Sequence, residues 1–265
     1  EKDGRSAFVS AGSTWSSPST PKSYQYNATY TDFTGTSGLT LATDDNALML
    51  MPQTLGENAE ITIEVNPGTA TKEKLENYKE SGINRLSIGL QAVQDDILKK
   101  IGRIHTYQDF LDTYNYAQDV GFSNINVDLM IDLPDQTLDN VKESVKEIIR
   151  LKPEHISVYS LILEKNTRMY EMIASKVVEI APEDIERQMY WYVKKTLEKH
   201  NYMQYEISNF AKPGFESRHN MDCWNQNEYI GVGTAACSYI EDKRYSNVEA
   251  LDEYITNIEN KEPNK

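Results

Sequence analysis

From Glu60 onward two patterns of apolar and polar positions take turns along the chain. Four short β-branched runs carry a polar residue at or near their C-terminal end: Glu60-Ile-Thr-Ile-Glu-Val-Asn-Pro67, Arg85-Leu-Ser-Ile-Gly-Leu-Gln91, Asn124-Ile-Asn-Val-Asp-Leu-Met130 and His155-Ile-Ser-Val-Tyr-Ser160. Between them, apolar residues recur at helical spacing. Strand and helix in regular alternation predict parallel strands linked by crossover helices, as in an α/β barrel or open sheet. The C-terminal ends of such strands share one rim, and barrels of this kind bind their ligands there. On this reading Glu64, Gln91, Asp128 and Tyr159 stand on that rim. Two carboxylates and an amide suit a small polar ligand with amines and hydroxyls.

Helix punctuation agrees with the alternation. Thr69 or Thr71 caps a helix through Lys72–Lys79, which Ser81-Gly82 ends. Asp95–Lys100 and then Tyr107–Val120, followed by Gly121, form the next helical layer, and Thr137–Leu151, closed by Pro153, forms another. Leu138, Val141, Val145, Ile148 and Ile149 make a core-facing stripe on the last of these. Pro182 suits the first turn of a longer helix reaching His200. Tyr205–Phe210 predicts a further strand, and a Gly- and Asn-bearing segment continues through Tyr239. Residues 1–57 differ: they are rich in Ser, Thr, Gly and Tyr and lack helical period, which predicts short edge strands and turns or partial disorder. The chain therefore divides into an atypical segment 1–57, a partial (β/α) barrel core 58–210 and a C-terminal extension 211–265.

Composition narrows the function classes. With 41 acidic residues against 27 Lys and Arg, a net charge of -14 argues against a general nucleic-acid surface. No apolar run reaches the roughly 18 residues of a membrane span, and the expected protein is cytoplasmic, with no integral membrane segment. Cys223 and Cys237 read as free thiols, and the scattered histidines form no metal constellation. Gly231-Val-Gly233 lacks the third glycine and following helix of a dinucleotide fingerprint, and neither a phosphate loop nor a nucleophile elbow is present. No catalytic residue stands out.

The binding candidates are more specific. Glu64 precedes Asn66-Pro67-Gly68, where the strand must break, so its carboxylate either meets a ligand ammonium or ribose hydroxyl or holds its own loop. Gln91 ends a strand containing Gly89, which permits close approach by a ligand or neighbouring backbone. Arg103 can reach a carboxylate as a planar donor, or simply belongs to a basic helix end. Asp128, a buried acid expected to end its strand, needs a ligand hydroxyl or an arginine as partner.

Several motifs occur in an order that adds a resemblance. Ile63-Glu-Val-Asn-Pro67, Ser87-Ile-Gly-Leu-Gln91, Ile101-Gly-Arg103 with His105, Asn126-Val-Asp-Leu-Met-Ile131, Tyr205-Glu-Ile-Ser-Asn-Phe210, His219-Asn220, Trp224 and Tyr229-Ile-Gly-Val-Gly233 span roughly residues 60–250. Together they resemble the oxygen-independent coproporphyrinogen III oxidase family of radical S-adenosylmethionine proteins, nearest its haem-chaperone-like branch. The resemblance implies an incomplete barrel holding a 4Fe–4S cluster and S-adenosylmethionine, with Glu64, Gln91, Arg103 and Asp128 contacting the nucleoside or amino-acid portions. It also implies haem or a porphyrinogen as ligand, with His105, His155 or His219 as axial candidates.

The sequence departs from the family where the cluster is concerned. The family's CxxxCxxC loop is absent, and two thiolates cannot replace three. The cluster segment either lies upstream of Glu1, has been replaced or has degenerated; Phe8-Val-Ser-Ala-Gly-Ser-Thr14 resembles only faintly the strand leading into the family's methionine-binding turn. Asp132 and Asn166 stand where the family pattern has glycine, and Ala235-Ala236-Cys237 replaces a Gly-Ala-His-like segment. The expected function is a haem-chaperone-like or oxidase-like family protein that performs no radical chemistry by itself. The alternatives are an active oxidative decarboxylase, given an upstream cluster segment, and an inert homologous scaffold or interaction module.

Overall fold

The computed structural model describes residues 6–9, 41–44, 47–50, 58–165 and 167–260. Among them the strands are β1 (Ser6–Val9), β2 (Leu41–Asp44), β3 (Ala47–Leu50), β4 (Glu60–Val65), β5 (Arg85–Gln91), β6 (Ile125–Ile131), β7 (His155–Ser160), β8 (Met203–Gln204), β9 (Asn209–Ala211), β10 (Cys237–Ile240) and β11 (Lys243–Ser246). The helices are α1 (Lys72–Glu80), α2 (Asp95–Lys100), α3 (Tyr107–Asp119), α4 (Leu138–Leu151), α5 (Arg168–Ala174), α6 (Glu183–Lys199), α7 (Arg218–Trp224) and α8 (Leu251–Asn260). The chain divides into two compact units, 1–216 and 217–265.

The first unit is built on a seven-stranded sheet of order β1-β4-β5-β6-β7-β9-β8. β1, β4, β5, β6 and β7 run parallel, while β9 runs antiparallel to both β7 and β8. Residues 6–9 thus supply a strand beside β4, with Ser6 opposite Glu60 and Val9 opposite Ile63. The expected α/β architecture with parallel strands is observed, and it takes the form of an open sheet. Residues 10–14 and Asn166 lie outside the described residues.

Successive strand residues point to opposite faces. One face carries Val65, Leu86, Ile88, Leu90, Ile125, Val127, Leu129, Ile131, Ile156, Val158 and Phe210, all buried in a single core. Helices cover it: Leu75 of α1, Phe110 and Tyr114 of α3, Val141, Val145 and Ile148 of α4, and Met189, Val193 and Leu197 of α6 join the same core. Capping fixes where those helices begin. Thr71 accepts from the Lys74 amide, and Thr106 and Thr137 form reciprocal capping boxes with Asp109 and Asn140. Lys152, at φ 57°, ends α4 in the left-handed conformation just before Pro153.

Two strand expectations change. Tyr205–Phe210 is not one strand: β8 ends at Gln204, residues 205–208 turn, and β9 begins at Asn209. Gln204 holds the turn, its amide donating to the Ile207 carbonyl at 3.0 Å while the Tyr205 amide donates to the Asn209 carbonyl. Asp128 does not end its strand, since β6 runs on to Ile131.

In the second unit, the Gly- and Asn-bearing segment contains helix α7, and β10 and β11 pair antiparallel around Glu241-Asp242, both at positive φ. Gly231 is obligatory there, because a Cβ on it would come within 2.2 Å of the Cys237 carbonyl oxygen. Gly231-Val-Gly233 leads into β10, with no helix following directly.

Candidate functional site

The sheet face opposite the helices is polar. Register places Thr62 beside Arg85, Glu64 beside Ser87, Ser87 beside Asn126, and Asn126 beside His155. Towards the strand C-termini, Gly89 pairs with Asp128, Asp128 with Ser157, and Met130 with Tyr159. Parallel strands buried on both sides are ordinarily apolar on both. Here Thr62, Arg85, Ser87, Asn126, His155, Ser157 and Asn209 are all buried.

Hydrogen bonds join these groups into a chain with a direction. Asn126 Nδ2 donates to Asp128 Oδ1 at 2.7 Å and to Ser87 Oγ at 2.8 Å. With both amide protons committed, Asn126 Oδ1 accepts from Ser157 Oγ at 3.1 Å and from His155 Nδ1 at 2.6 Å. Nδ1 therefore carries the histidine proton, and Nε2 accepts from the Tyr205 hydroxyl at 2.7 Å. Ser87 Oγ, having accepted from Asn126, donates to Asp128 Oδ2 at 3.2 Å. The chain ends on Asp128, whose two oxygens both act as acceptors.

Burial raises the Asp128 pKa, and the bonds from Asn126 and Ser87 and the charge of Arg85 offset that only in part. Burial first, and then the Arg85 charge, holds the His155 pKa well below its ordinary value, in keeping with a neutral ring. Glu64 is exposed on the same face; desolvation, then the Asp128 charge, raises its pKa. Tyr159, 41% exposed near the end of β7, is raised by burial and then by Asp128.

Gln91 occupies a shift of register between β5 and β6, at φ 71°. Its side chain folds back over Gly89, where a Cβ would stand 3.0 Å from Gln91 Nε2. The close approach that Gly89 permits is thus made by the glutamine side chain, which comes beside the residue paired with Asp128. His105 supports this bend: it is buried, its Nε2 lies 3.3 Å from the Leu90 carbonyl oxygen, and burial leads the effects lowering its pKa. Arg103 donates through Nη1 to Asn66 Oδ1 at 3.1 Å, tying the turn after α2 to the loop just beyond Glu64.

Glu64, Asp128 and Gln91 therefore share the polar face, with Asp128 below the rim, and Arg103 reaches that face's edge through Asn66. Sequence reasoning passed over Arg85, Ser87, Asn126 and Ser157, and considered His155 only as an axial haem ligand. Their signal was available: polar residues alternate with aliphatic ones in strands whose parallel pairing demands burial on both sides. Among the histidines considered as axial ligands, His155 has both ring nitrogens engaged inside the network. His219 lies in the second unit on α7, 3.7 Å from Cys223 Sγ.

A 4Fe–4S cluster does not fit the residues present. Cys223 is half-buried, Cys237 is exposed, and no third cysteine exists in these 265 residues. Among the described residues no group of three His, Cys, Asp or Glu side chains could hold a metal ion. The donors and acceptors of the polar face do fit a nucleoside bearing an amino acid: carboxylates for hydroxyls and ammonium, an amide, and an arginine for a carboxylate.

Comparison with known proteins bears on the family and the fold. Residues 29–148 match the Radical SAM superfamily. The chain is similar to the haem chaperone HemW of Bacillus subtilis, 42% identical over 203 residues that cover 77% of this chain and 54% of that protein. It is 39% identical to the haem chaperone HemW of Lactococcus lactis over 196 residues, 74% of this chain and 52% of the relative. It thus spans about half the length of these curated relatives. Among solved structures, the coproporphyrinogen III oxidase HemN of Escherichia coli, described as a radical SAM enzyme, superposes with a TM-score of 0.66 over 80% of this chain and 52% of that one. At 21% identity that likeness concerns the fold. Among the described residues no helix is long and apolar enough to cross a membrane.

Proposed function

Because the chain belongs to the radical S-adenosylmethionine superfamily, on the side of the haem chaperones and oxygen-independent coproporphyrinogen oxidases, we propose that it is the nucleoside-holding part of a haem-chaperone-like protein. The observation that carries this reading is the directional network ending on Asp128, with Glu64 and Gln91 beside it and Arg103 at its edge. In this reading Asp128 and Glu64 accept hydrogen bonds from ribose hydroxyls and the ammonium of S-adenosylmethionine, Gln91 contributes its amide, and Arg103 faces the methionine carboxylate. Bound S-adenosylmethionine would bring sulfonium chemistry; the residues here hold and orient it, and no reaction step is assigned to them.

Haem, or a related porphyrin, is the second ligand of the proposal. Ile104 is 92% exposed in the turn after α2, and Ile162 is 82% exposed in the loop after β7, close in sequence to exposed Tyr159. Apolar side chains left in water on rim loops suit a flat apolar macrocycle.

Calorimetric titration with S-adenosylmethionine tests the first part. Asp128→Ala is expected to weaken binding at least about tenfold, the effect of losing one charged hydrogen-bond acceptor, about 1.5–3 kcal/mol. Unchanged affinity in a variant with native circular dichroism would remove Asp128 from the site. Saturable 1:1 haem binding, weakened by Ile162→Glu, is the outcome expected for the second part.

A further inference from the structure

The polar network runs on past Asn126 to a side chain from outside the parallel strands. Ser87, Asn126 and His155 stand in one row across β5, β6 and β7, and His155 is fully buried. Its Nδ1 lies 2.6 Å from Asn126 Oδ1 and its Nε2 lies 2.7 Å from the Tyr205 hydroxyl, with the two rings edge to face and their centroids 5.5 Å apart. Both nitrogens are thus engaged by short bonds. Burial keeps the ring neutral, so it has a single proton to place on one of them.

Tyr205 is the half-buried first residue of the 205–208 turn, and that turn is held at several points. The Tyr205 amide donates to the Asn209 carbonyl at 3.1 Å, the Ser208 amide to Glu206 Oε1 at 2.9 Å, and the Val158 amide to the Ser208 carbonyl at 2.7 Å. Gln204, just before the turn, bonds through its side chain to Lys194 and Tyr190 of α6 as well as to the Ile207 carbonyl. The phenol therefore meets His155 from a fixed support.

The tautomer of His155 decides which way Asn126 faces. With the proton on Nδ1, the ring donates to Asn126 Oδ1, and the amide turns its NH2 group to Asp128 Oδ1 at 2.7 Å and Ser87 Oγ at 2.8 Å. With the proton on Nε2, the bare Nδ1 would accept from an inverted amide, whose oxygen would then face Asp128 Oδ1, acceptor against acceptor. Ser157 Oγ, 3.1 Å from Asn126 Oδ1, does not choose between these states, because a hydroxyl both donates and accepts. The choice rests on Nε2, where a donor leaves the ring proton on Nδ1.

We propose that Tyr205 and His155 are positioning residues for the nucleoside site: the Tyr205 hydroxyl donates to Nε2, fixes the Nδ1–H tautomer, and through it holds the Asn126 amide with its protons turned to Asp128 and Ser87. Neither residue is assigned a ligand contact. Their effect is that Asp128 meets the ligand in one orientation, aimed from beneath by Asn126 and Ser87. The proposal rests on the reading of Asp128 as a nucleoside contact.

Nitrogen-15 NMR of the His155 ring and the Asn126 side-chain amide, in ligand-free protein, tests the lock; calorimetric titration with S-adenosylmethionine tests its consequence. Wild type is expected to show a protonated Nδ1 and a bare Nε2, and a ring protonated on Nε2 instead overturns the proposal. Tyr205→Phe, which removes one oxygen, should give a mixture of tautomers, move the Asn126 amide signals and weaken binding about three- to tenfold. Either an unchanged tautomer or an unchanged affinity in that folded variant overturns it. His155→Leu should weaken binding at least about tenfold, while His155→Asn, whose amide nitrogen takes the place of Nδ1, should recover most of the loss. Equal losses in the two would reduce the ring to packing and overturn the positioning role. A lock that responds as expected, in a protein of which no form binds S-adenosylmethionine, keeps the tautomer assignment and overturns the nucleoside reading instead. Should the histidine variants fail to fold, Tyr205→Phe answers by itself.

Discussion

On the helix-facing side of β5 to β7 stand Leu86, Ile88, Leu90, Val127, Leu129, Ile156 and Val158; the intervening positions on the other side carry Arg85, Ser87, Asn126, Asp128, His155 and Ser157. The same strands thus present two faces of opposite character, the polar one buried except at half-buried Asp128. The aliphatic face is explained by folding alone, since burying each such side chain stabilises the fold by roughly 1.5–3 kcal/mol. The polar face is not. Each buried polar group there must find a partner merely to offset its lost hydration, so the face contributes little to stability and its retention calls for another reason. The ligand site proposed above would supply that reason.

Truncation on each face separates the two roles. Ile88→Ala should destabilise the protein by about 2–5 kcal/mol in urea unfolding, through lost burial and the cavity left behind. At temperatures where the variant stays folded, its S-adenosylmethionine affinity should be nearly that of wild type. Asn126→Ala should cost less stability, about 1–3 kcal/mol, from the groups of Asp128, Ser87, Ser157 and His155 left without their partner, yet it should weaken ligand binding at least about tenfold. A folded Asn126→Ala protein that binds normally would reduce the polar face to internal packing.

A third substitution lies where β6 leaves the sheet. Asp132 sits at φ 60°, in the left-handed region that favours glycine, which gives a physical reason for the glycine of the family pattern. Its carboxylate accepts from the Ala181 amide at 3.2 Å, but burial, then the charge of Glu186, pushes its pKa up to about 6. A carboxyl raised in the folded state adds stability only at low pH, and that contribution is lost as pH rises through about 6. Asp132→Gly should therefore stabilise the protein near neutral pH by about 1–2 kcal/mol, after allowance for screening and for the lost Ala181 bond. The gain should shrink below about pH 4, where Asp132 is neutral in both states. A difference in melting temperature that does not change between pH 4 and 7 would assign the whole effect to the backbone.

The aliphatic face was the legible half of this molecule. Its alternation located β4, β5, β6 and β7 to within two residues, and cap residues such as Thr71 and Thr137 located the helices between them. Short elements that depend on tertiary contacts were not legible: α5 has no buried residue to betray a helical period, and the 205–208 turn is held by the side chain of Gln204. For the site, Glu64, Gln91, Arg103 and Asp128 came from strand ends and motif resemblance, which say nothing of what lies beneath the rim. The network under Asp128 depends on register, because Asn126 meets Ser87 and His155 only when three strands are aligned. A single sequence does not contain that alignment.

The smallest effect expected is the most local. Gly89 lies directly beneath the Gln91 amide, and an added methyl would stand 3.0 Å from Nε2, closer than ordinary contact allows. The neighbour that must yield is the far end of a flexible side chain, so Gly89→Ala should change unfolding free energy by less than about 1 kcal/mol. What it moves is the amide itself, by a few tenths of an ångström and away from the residue paired with Asp128. S-adenosylmethionine binding should weaken by about two- to fivefold, a sensitivity expected of a group that must be held in place rather than merely present. A loss of stability with unchanged affinity would mean that Gly89 serves the sheet and that Gln91 belongs to the packing of the bend. The reverse outcome, affinity lost from a sheet of unaltered stability, would place Gln91 with Asp128 on the binding side of the comparison.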